Sequence, residues 1–338
     1  MNTRPLALII LVAATLVACT PEEPFIDSFD DGWRLLMTNA QGSLVVTDVP
    51  DQSATATVWS DAADSALHQL KRFRERVYLL HSQRPWIVIF DADTLRAVDT
   101  IDLGTASASS IAFANATTAF ATIPSERAVK VIDLTVGSVA RTISMPSRPM
   151  NIDANGNQLC VTLPDTNSVA IIDSRTMDVE AIVATSAVPW FVTADPANAV
   201  FCIVSMGAGK VTSGPPSAAA IQFLTATTRA ISAPLELTTR GTTAVQLRPT
   251  GLIVTSTQLA FVSSTGGLMR IGTRSRNRVT TMQPDNITSL AYNEARAEIL
   301  AQLGGSRTGL AVYNVNGDAR TATVSVTSPA TSALGIAR

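Results

Sequence analysis

Residues 159–184 read LCVTLPDTNSVAIIDSRTMDVEAIVA, in which short apolar or alternating runs are separated by Pro, Asp, Asn and Ser. Such runs, bounded by turn-forming residues, predict β-strands, and no helical periodicity of comparable length competes with them. The same order of three segments occurs at residues 77–103 and 119–145. The sequence therefore predicts an all-β protein built from a repeat.

Degenerate copies extend this repeat in both directions, with starts at residues 35, 77, 119, 159, 200, 260 and 298. A repeat of about 40–45 residues with four strands is typical of a β-propeller, so seven copies predict seven blades. A further, innermost strand precedes each copy except the first, and in blade 6 it is either residues 244–247 or residues 252–255. Residues 332–338 resemble an innermost strand but begin no blade. We expect this C-terminal strand to complete blade 1 and close the ring.

The segments at 77–104 and 159–184 resemble the repeats of the YVTN-type seven-bladed propeller family. The resemblance covers most of residues 33–338 and is strong in blades 2–4 and weak in blades 5–7. It implies the fold and says little about function, because propellers carry many unrelated activities.

The first nineteen residues have the three parts of an export signal. Arg4 is followed by an uncharged apolar run at residues 6–17, and Leu-Val-Ala-Cys then ends at Cys19. The run fits a secretory signal and is too short to span a membrane. Its end resembles the bacterial lipobox, which implies cleavage after residue 18 and lipidation of Cys19.

Residues 19–32 are predicted to form an acidic tether between the lipidated cysteine and a propeller domain at residues 33–338. Thr20 stands where an inner-membrane lipoprotein of this kind usually has Asp. The resemblance therefore implies a lipid anchor in the outer membrane, with the domain on the periplasmic or the cell-surface side.

The composition argues against several functional classes. A net charge of −2 gives no electrostatic basis for binding nucleic acid. Two histidines and three cysteines provide no metal-ligand motif, disulfide framework or haem attachment sequence, so no cofactor is expected. Cys160 and Cys202 are expected to be buried apolar side chains, with a disulfide as the less favoured alternative.

Carboxylates recur at the end of the third strand in four copies, at Asp48, Asp91, Asp133 and Asp173. One per blade at a fixed offset indicates a turn role, in which the carboxylate accepts bonds from backbone N–H groups. His68 and His81 are predicted to lie opposite each other in a hairpin, as a weak candidate metal pair.

Candidate binding residues lie where the loops between second and third strands meet the blade-to-blade connections. An insertion at residues 206–217 of blade 5 lengthens this end of the ring, where long loops often bind ligands. Basic and aromatic side chains there are candidates for a site that binds an anion, a glycan or a partner loop. They are Arg84, Trp86, Arg148, Trp190, Lys210 and Arg240.

The sequence carries no Ser-nucleophile motif and no paired carboxylates outside the turn positions. This favours a non-catalytic module of the cell envelope that binds a protein or a small ligand. The alternative is a periplasmic enzyme, lactonase-like or quinoprotein-like, with its site at the channel mouth. A subunit of an envelope complex is a third interpretation.

Overall fold

The structure is a computed structural model that describes most of the chain after residue 32. The described residues are 33–39, 42–49, 55–60, 67–208, 217–237, 247–281, 286–294, 296–304, 309–317, 320–324 and 330–336. The predicted signal peptide, Cys19 and the acidic tether lie outside them, as do Lys210 and Arg240. No helix among the described residues is long and apolar enough to cross a membrane.

The described residues form seven four-stranded antiparallel sheets, which are the seven blades of a β-propeller. Strands are numbered in chain order, and each blade is given from its innermost to its outermost strand. Blade 1 contains β28 (Ala330–Ile336), β1 (Trp33–Asn39), β2 (Ser43–Val49) and β3 (Thr55–Ser60). Blade 2 contains β4 (Leu67–Phe73), β5 (Arg76–His81), β6 (Trp86–Asp91) and β7 (Ala97–Asp102). Blade 3 contains β8 (Ser110–Phe113), β9 (Thr118–Ile123), β10 (Ala128–Asp133) and β11 (Ser138–Ser144). Blade 4 contains β12 (Ile152–Asn155), β13 (Gln158–Leu163), β14 (Ser168–Asp173) and β15 (Asp178–Ala184).

The remaining three blades follow the same order. Blade 5 contains β16 (Pro189–Asp195), β17 (Val200–Ser205), β18 (Ala220–Thr225) and β19 (Leu235–Glu236). Blade 6 contains β20 (Pro249–Val254), β21 (Leu259–Ser264), β22 (Gly267–Gly272) and β23 (Arg278–Thr281). Blade 7 contains β24 (Ile287–Asn293), β25 (Glu298–Leu303), β26 (Gly309–Asn314) and β27 (Arg320–Val324). Short 3-10 turns occur at Pro124–Glu126, Pro164–Thr166 and Pro196–Asn198.

The C-terminal strand closes the ring, as predicted. β28 pairs antiparallel with β1, with Arg34 opposite Ile336 and Thr38 opposite Ser332. The innermost strand of blade 6 is β20, which settles the alternative left open by the sequence in favour of the later segment. Closure of the ring gives β1 a partner on both sides and leaves blade 1 with the same four strands as the other blades.

The hydrophobic core consists of one cluster in each of the seven seams between neighbouring blades. The strands are apolar on both faces because each sheet packs against a neighbour on either side. Ile171 of β14 faces blade 5, for example, whereas the next residue, Ile172, faces blade 3. This alternation explains why the second and third strands read as continuous apolar runs.

The two ends of the ring carry different connections. One end holds the loops between second and third strands and the links from blade to blade, and we call it the connection face. The opposite end holds the turns between first and second strands and between third and fourth strands, and we call it the turn face. β1 begins on the turn face, because Arg34 near its start pairs with Asp48 near the end of β2.

Candidate functional site

An aromatic cluster lies on the connection face at the seam between blades 1 and 2. Trp59 comes from β3 at the outer edge of blade 1, while His81 ends β5 and Trp86 begins β6. The His81 ring packs edge-on against both indoles, at 5.3 Å from Trp59 and 6.2 Å from Trp86 between ring centroids. His81 is only 1% exposed, whereas both tryptophans are half-buried. We call Trp59, His81 and Trp86, together with Arg84, the aromatic cluster.

Arg84 adds a positive charge to this cluster. Its guanidinium carbon lies 5.3 Å from the centre of the Trp86 ring, which is a cation–π contact. Trp59 and Trp86 also pack against the apolar core between blades 1 and 2, so their positions are fixed by the ring itself. The arrangement presents two rigid indoles with a guanidinium beside one of them, and residues of these types are common in protein-binding surfaces.

The structure brings Arg84 and Trp86 together and adds His81 to them. It also adds Trp59, which was not predicted from the sequence because blade 1 is a degenerate copy of the repeat. A usable signal existed: Trp59 is the last residue but one of an outermost strand, just before a blade-to-blade link, and therefore lies on the connection face.

The other candidate residues do not belong to this cluster. Arg148 lies in the link between blades 3 and 4 and forms an ion pair with Asp165, with 2.9 Å between Nη2 and Oδ1. Trp190 lies in blade 5, is half-buried and makes no ring–ring or cation–π contact with any described residue. The predicted residues Lys210 and Arg240 lie outside the described part of the chain.

The predicted opposition of His68 and His81 is wrong. The register pairs Leu67 with His81 and Gln69 with Leu80, so His68 is the extra residue of a β-bulge. The side chain of His68 is outside the description. Among the side chains that are described, no group of three or more His, Cys, Asp or Glu could hold a metal ion.

The carboxylates that end the third strands serve their turns, as predicted for three of the four. Asp91 accepts a bond from the N–H of Thr94 at 2.9 Å, and Asp133 accepts one from Thr135 at 2.8 Å. Asp173 accepts bonds from the N–H groups of Arg175 and Thr176. The pKa of each of these three carboxyls lies below the ordinary range. The main cause is the side-chain hydrogen bond from Arg175 for Asp173 and from Thr135 for Asp133, and the backbone bond from Thr94 for Asp91. The side chain of Asp48 is not among those described.

Polar side chains in and just before β12 accept hydrogen bonds from the backbone of β16, the innermost strand of the neighbouring blade. The Asn151 side-chain oxygen, just before β12, accepts a bond from the Val192 N–H at 3.1 Å. Asp153 Oδ2 accepts one from the Ala194 N–H at 2.8 Å, and its Oδ1 lies 3.0 Å from Lys71 Nζ of blade 2. An innermost strand has one edge without a strand partner, and these side chains supply acceptors for part of it.

Cys160 and Cys202 are both buried free thiols. Cys160 packs in the seam between blades 4 and 5, whereas Cys202 packs in the seam between blades 5 and 6. Burial raises the pKa of both thiols, and a nearby carboxylate, Asp153 or Asp195 respectively, raises it further. They are structural side chains, as the sequence favoured.

Comparison with known proteins identifies the fold and no family. No protein-family model matches the chain, and no curated protein matches it. Among solved structures, hydrazine synthase of Kuenenia stuttgartiensis is similar with a TM-score of 0.66 at 10% identity, covering 79% of this chain and 88% of that one. The computationally designed protein Ika8 is similar with a TM-score of 0.65 at 11% identity, covering 90% of each chain. At these identities the likeness concerns the propeller fold alone.

Proposed function

We propose that this chain is a lipid-anchored, non-catalytic propeller of the outer membrane that binds an envelope protein through the aromatic cluster on its connection face. The export signal and the lipobox-like Leu-Val-Ala-Cys ending at Cys19 support the anchor. The YVTN-like repeats agree with a propeller used as a display scaffold. The domain lies on the periplasmic or the cell-surface side of the membrane.

One observation supports the binding role: the chain enters the ring on one face and the aromatic cluster lies on the other. Whatever precedes β1 is joined to the ring at Trp33, which is on the turn face. Trp59 and Trp86 lie at the opposite end. A ring attached through its turn face presents the two indoles to a partner without obstruction from its own attachment point.

The chemistry of the cluster favours a protein partner. Tryptophan and arginine are over-represented among the few residues that dominate the free energy of protein–protein binding, and they act best when fixed and half-buried before binding. Trp59, Trp86 and Arg84 are half-buried, and the two indoles are fixed by core packing. The two fixed indoles favour a partner surface that offers an apolar patch.

The test is comparative capture of envelope proteins by the full lipidated chain, after mass spectrometry has verified an acylated N-terminal Cys19. The variants are Trp86→Ala and, as a matched control, Trp190→Ala, which removes an indole from the same face outside the cluster. We expect a protein captured by the wild type and the control whose affinity falls at least tenfold for Trp86→Ala, a loss of about 1.4 kcal/mol or more. Melting curves check that the variants fold. Equal capture by all three chains would refute the proposal, and an unacylated Cys19 would refute the anchor.

A further inference from the structure

The outermost strand of each blade has one edge that pairs with the third strand and one edge that pairs with no described strand. Such an edge presents a row of backbone N–H and C=O groups to which another strand can bind. Proteins discourage this pairing with charged side chains, proline, bulges or very short strands. The seven outermost strands differ in which of these features they carry.

Six of the seven outermost strands contain charged residues. β7, β11, β15, β23 and β27 each have one or two, and β19 has one and contributes only two residues to the ladder. One charged residue from each of the six, in chain order, is Asp99, Arg141, Asp178, Glu236, Arg278 and Arg320. β3 reads Thr-Ala-Thr-Val-Trp-Ser and contains neither a charged residue nor a proline. Its edge is therefore the least protected of the seven.

The β-bulge of β3 also differs from those of the other outermost strands. Val58 is the extra residue, because Leu44 pairs with Trp59 and Val45 with Thr57, near the connection-face end. In blades 2, 3, 4, 6 and 7 the bulge lies near the turn-face end. A bulge can re-aim a side chain, and here both Val58 and Trp59 pack against the apolar core between blades 1 and 2.

The uncharged edge adjoins the aromatic cluster. Thr57 and Ser60 are exposed, whereas Trp59 is half-buried and packs against His81 of the cluster. Because Trp59 faces blade 2, a strand added beside β3 would place every second side chain on the same side as the indole. The added strand would then make two kinds of contact, namely backbone bonds along the edge and an apolar side chain against Trp59.

We propose that the partner of this protein adds an extended segment to the free edge of β3, with an apolar side chain packed on Trp59. The proposal rests on the proposed function for the existence of a partner, and it names the form in which that partner binds. An extended backbone matches the alternating donors and acceptors of a strand edge. The segment is expected to alternate apolar and polar residues, because one of its faces packs on protein and the other faces water.

A second copy of the chain fits this edge less well than a different protein does. Two identical strands that pair across a two-fold axis are antiparallel. β3 runs from the turn face to the connection face, because it follows the end of β2 on the turn face. Pairing of two β3 strands would therefore turn the second ring over. Two chains attached to one membrane before Trp33 would have their entry points at opposite ends of such a dimer, which favours a different protein as the occupant.

The test uses the chain from residue 20 onward and a synthetic peptide as the probe. This chain contains all four strands of all seven blades. The peptide is acetyl-Lys-Thr-Val-Thr-Leu-Thr-Lys-amide, and its matched control has the same side chains with the central Val, Thr and Leu N-methylated, which blocks backbone bonds on both edges. Hydrogen exchange of the amides of residues 55–60 is followed by mass spectrometry with the peptide at about 1 mM, which suits a Kd in the millimolar range.

Two variants place a lysine on the exposed edges of neighbouring blades. Thr57→Lys adds a charge to β3, and Thr100→Lys adds one to β7 as the matched control; both threonines are exposed. We expect the peptide to slow exchange in residues 55–60 and not in residues 97–102. A backbone hydrogen bond is worth about a fivefold change in affinity, so the N-methylated peptide should bind more than about tenfold more weakly. Thr57→Lys should also weaken binding, and Thr100→Lys should leave it unchanged. Melting curves check that both variants fold.

Several results would overturn the proposal. They are the absence of protection by the peptide, equal protection by the N-methylated peptide, or equal effects of the two lysine variants. Slow exchange of residues 55–60 in the free chain would also overturn it, because another part of the chain would then already cover the edge. A dimer in sedimentation velocity that Thr57→Lys abolishes would make a second copy the occupant instead. The assay uses neither a native partner nor a membrane, so its outcome is independent of the capture experiment that tests the proposed function.

Discussion

Lys71 and Asp153 form an ion pair through the central channel, with 3.0 Å between Nζ and Oδ1. Lys71 belongs to the innermost strand of blade 2 and Asp153 to that of blade 4, so the pair joins two blades that are not neighbours. Innermost strands surround the channel, and a contact between non-adjacent ones has to pass through it. The pair therefore links two blades across the lumen, and the hydrogen bond from the Ala194 N–H holds the Asp153 carboxylate in place.

Substitutions of the two residues of this ion pair should lower the free energy of unfolding by unequal amounts. Asp153→Ala removes the ion pair and also the acceptor for the Ala194 N–H, and we expect it to lower the free energy of unfolding by about 2 kcal/mol. Lys71→Ala removes a partly exposed ion pair only and should lower it by less than about 1 kcal/mol. Asp153→Asn keeps an acceptor for Ala194 and should resemble Lys71→Ala. Urea unfolding measures all three, and equal effects of Asp153→Ala and Lys71→Ala would contradict this account.

Closure of the ring predicts that the last strand is essential for stability. Deleting residues 332–338 removes most of the pairing between β28 and β1 and leaves β1, which carries Leu35 and Met37 of the apolar seam with blade 7, with an open edge. The thermal unfolding midpoint is expected to fall by well over 10 °C or the chain to fail to fold, since several kcal/mol are lost from a marginally stable domain. Deleting only Ala337 and Arg338 is the control. An unchanged midpoint for the longer deletion would disprove closure through β28.

The turn carboxylates predict a loss of stability in acid. The pKa of Asp173 is held below its ordinary value of about 3.9, so the folded state binds fewer protons than the unfolded state near that pH. The stabilisation is therefore complete above about pH 4 and declines as the pH falls below it. We expect Asp173→Asn to be less stable than the wild type at pH 6 and by a smaller margin at about pH 3, as measured by urea midpoints.

Asp93→Asn is the control for acid unfolding, because the Asp93 carboxylate is exposed and makes no hydrogen bond or ion pair with any described residue. Its difference from the wild type should be small at both pH values. A constant difference between Asp173→Asn and the wild type from pH 6 to pH 3 would show that the turn bonds do not depend on the charge.

The two buried cysteines predict slow thiol chemistry in the folded state. Cys160 and Cys202 are fully buried in different seams, and burial raises the pKa of both thiols. In the chain from residue 20 onward, a thiol reagent at pH 8 should label neither residue in the native protein and both after denaturation. Labelling of either cysteine in the native protein would contradict the assigned packing. So would the loss of one or both reactive thiols when the protein is exposed to oxidants before it is denatured.

The sequence predicted the ring because a propeller repeats its pattern locally. Each blade is defined by short apolar runs and turn residues within about forty positions. Counting these copies predicts seven blades, and the innermost strand left over at the C-terminal end predicts how the ring closes. The bulge at His68 was not predictable in this way, since one extra residue between Leu67 and Gln69 leaves the hydrophobic pattern readable in either register.

The contacts between side chains of different blades could not be predicted from the sequence. Trp59 and Trp86 meet because β3 of blade 1 lies beside blade 2, and Lys71 meets Asp153 across the lumen. Neither relationship has a fixed sequence spacing. Blade 5 differs for a local reason, because Pro234 interrupts its outermost strand and leaves only Leu235–Glu236 in the ladder.

The most direct test of the central claim is site-specific photo-crosslinking of the lipidated chain in its native membrane. A photoreactive side chain at Gln83, beside the aromatic cluster, reports the connection face, and one at Arg74 reports the turn face; both positions are exposed. A chain that binds its partner with the connection face should crosslink to one envelope protein from position 83 and not from position 74. Crosslinks to that protein from position 74, with none from position 83, would contradict the proposed binding face.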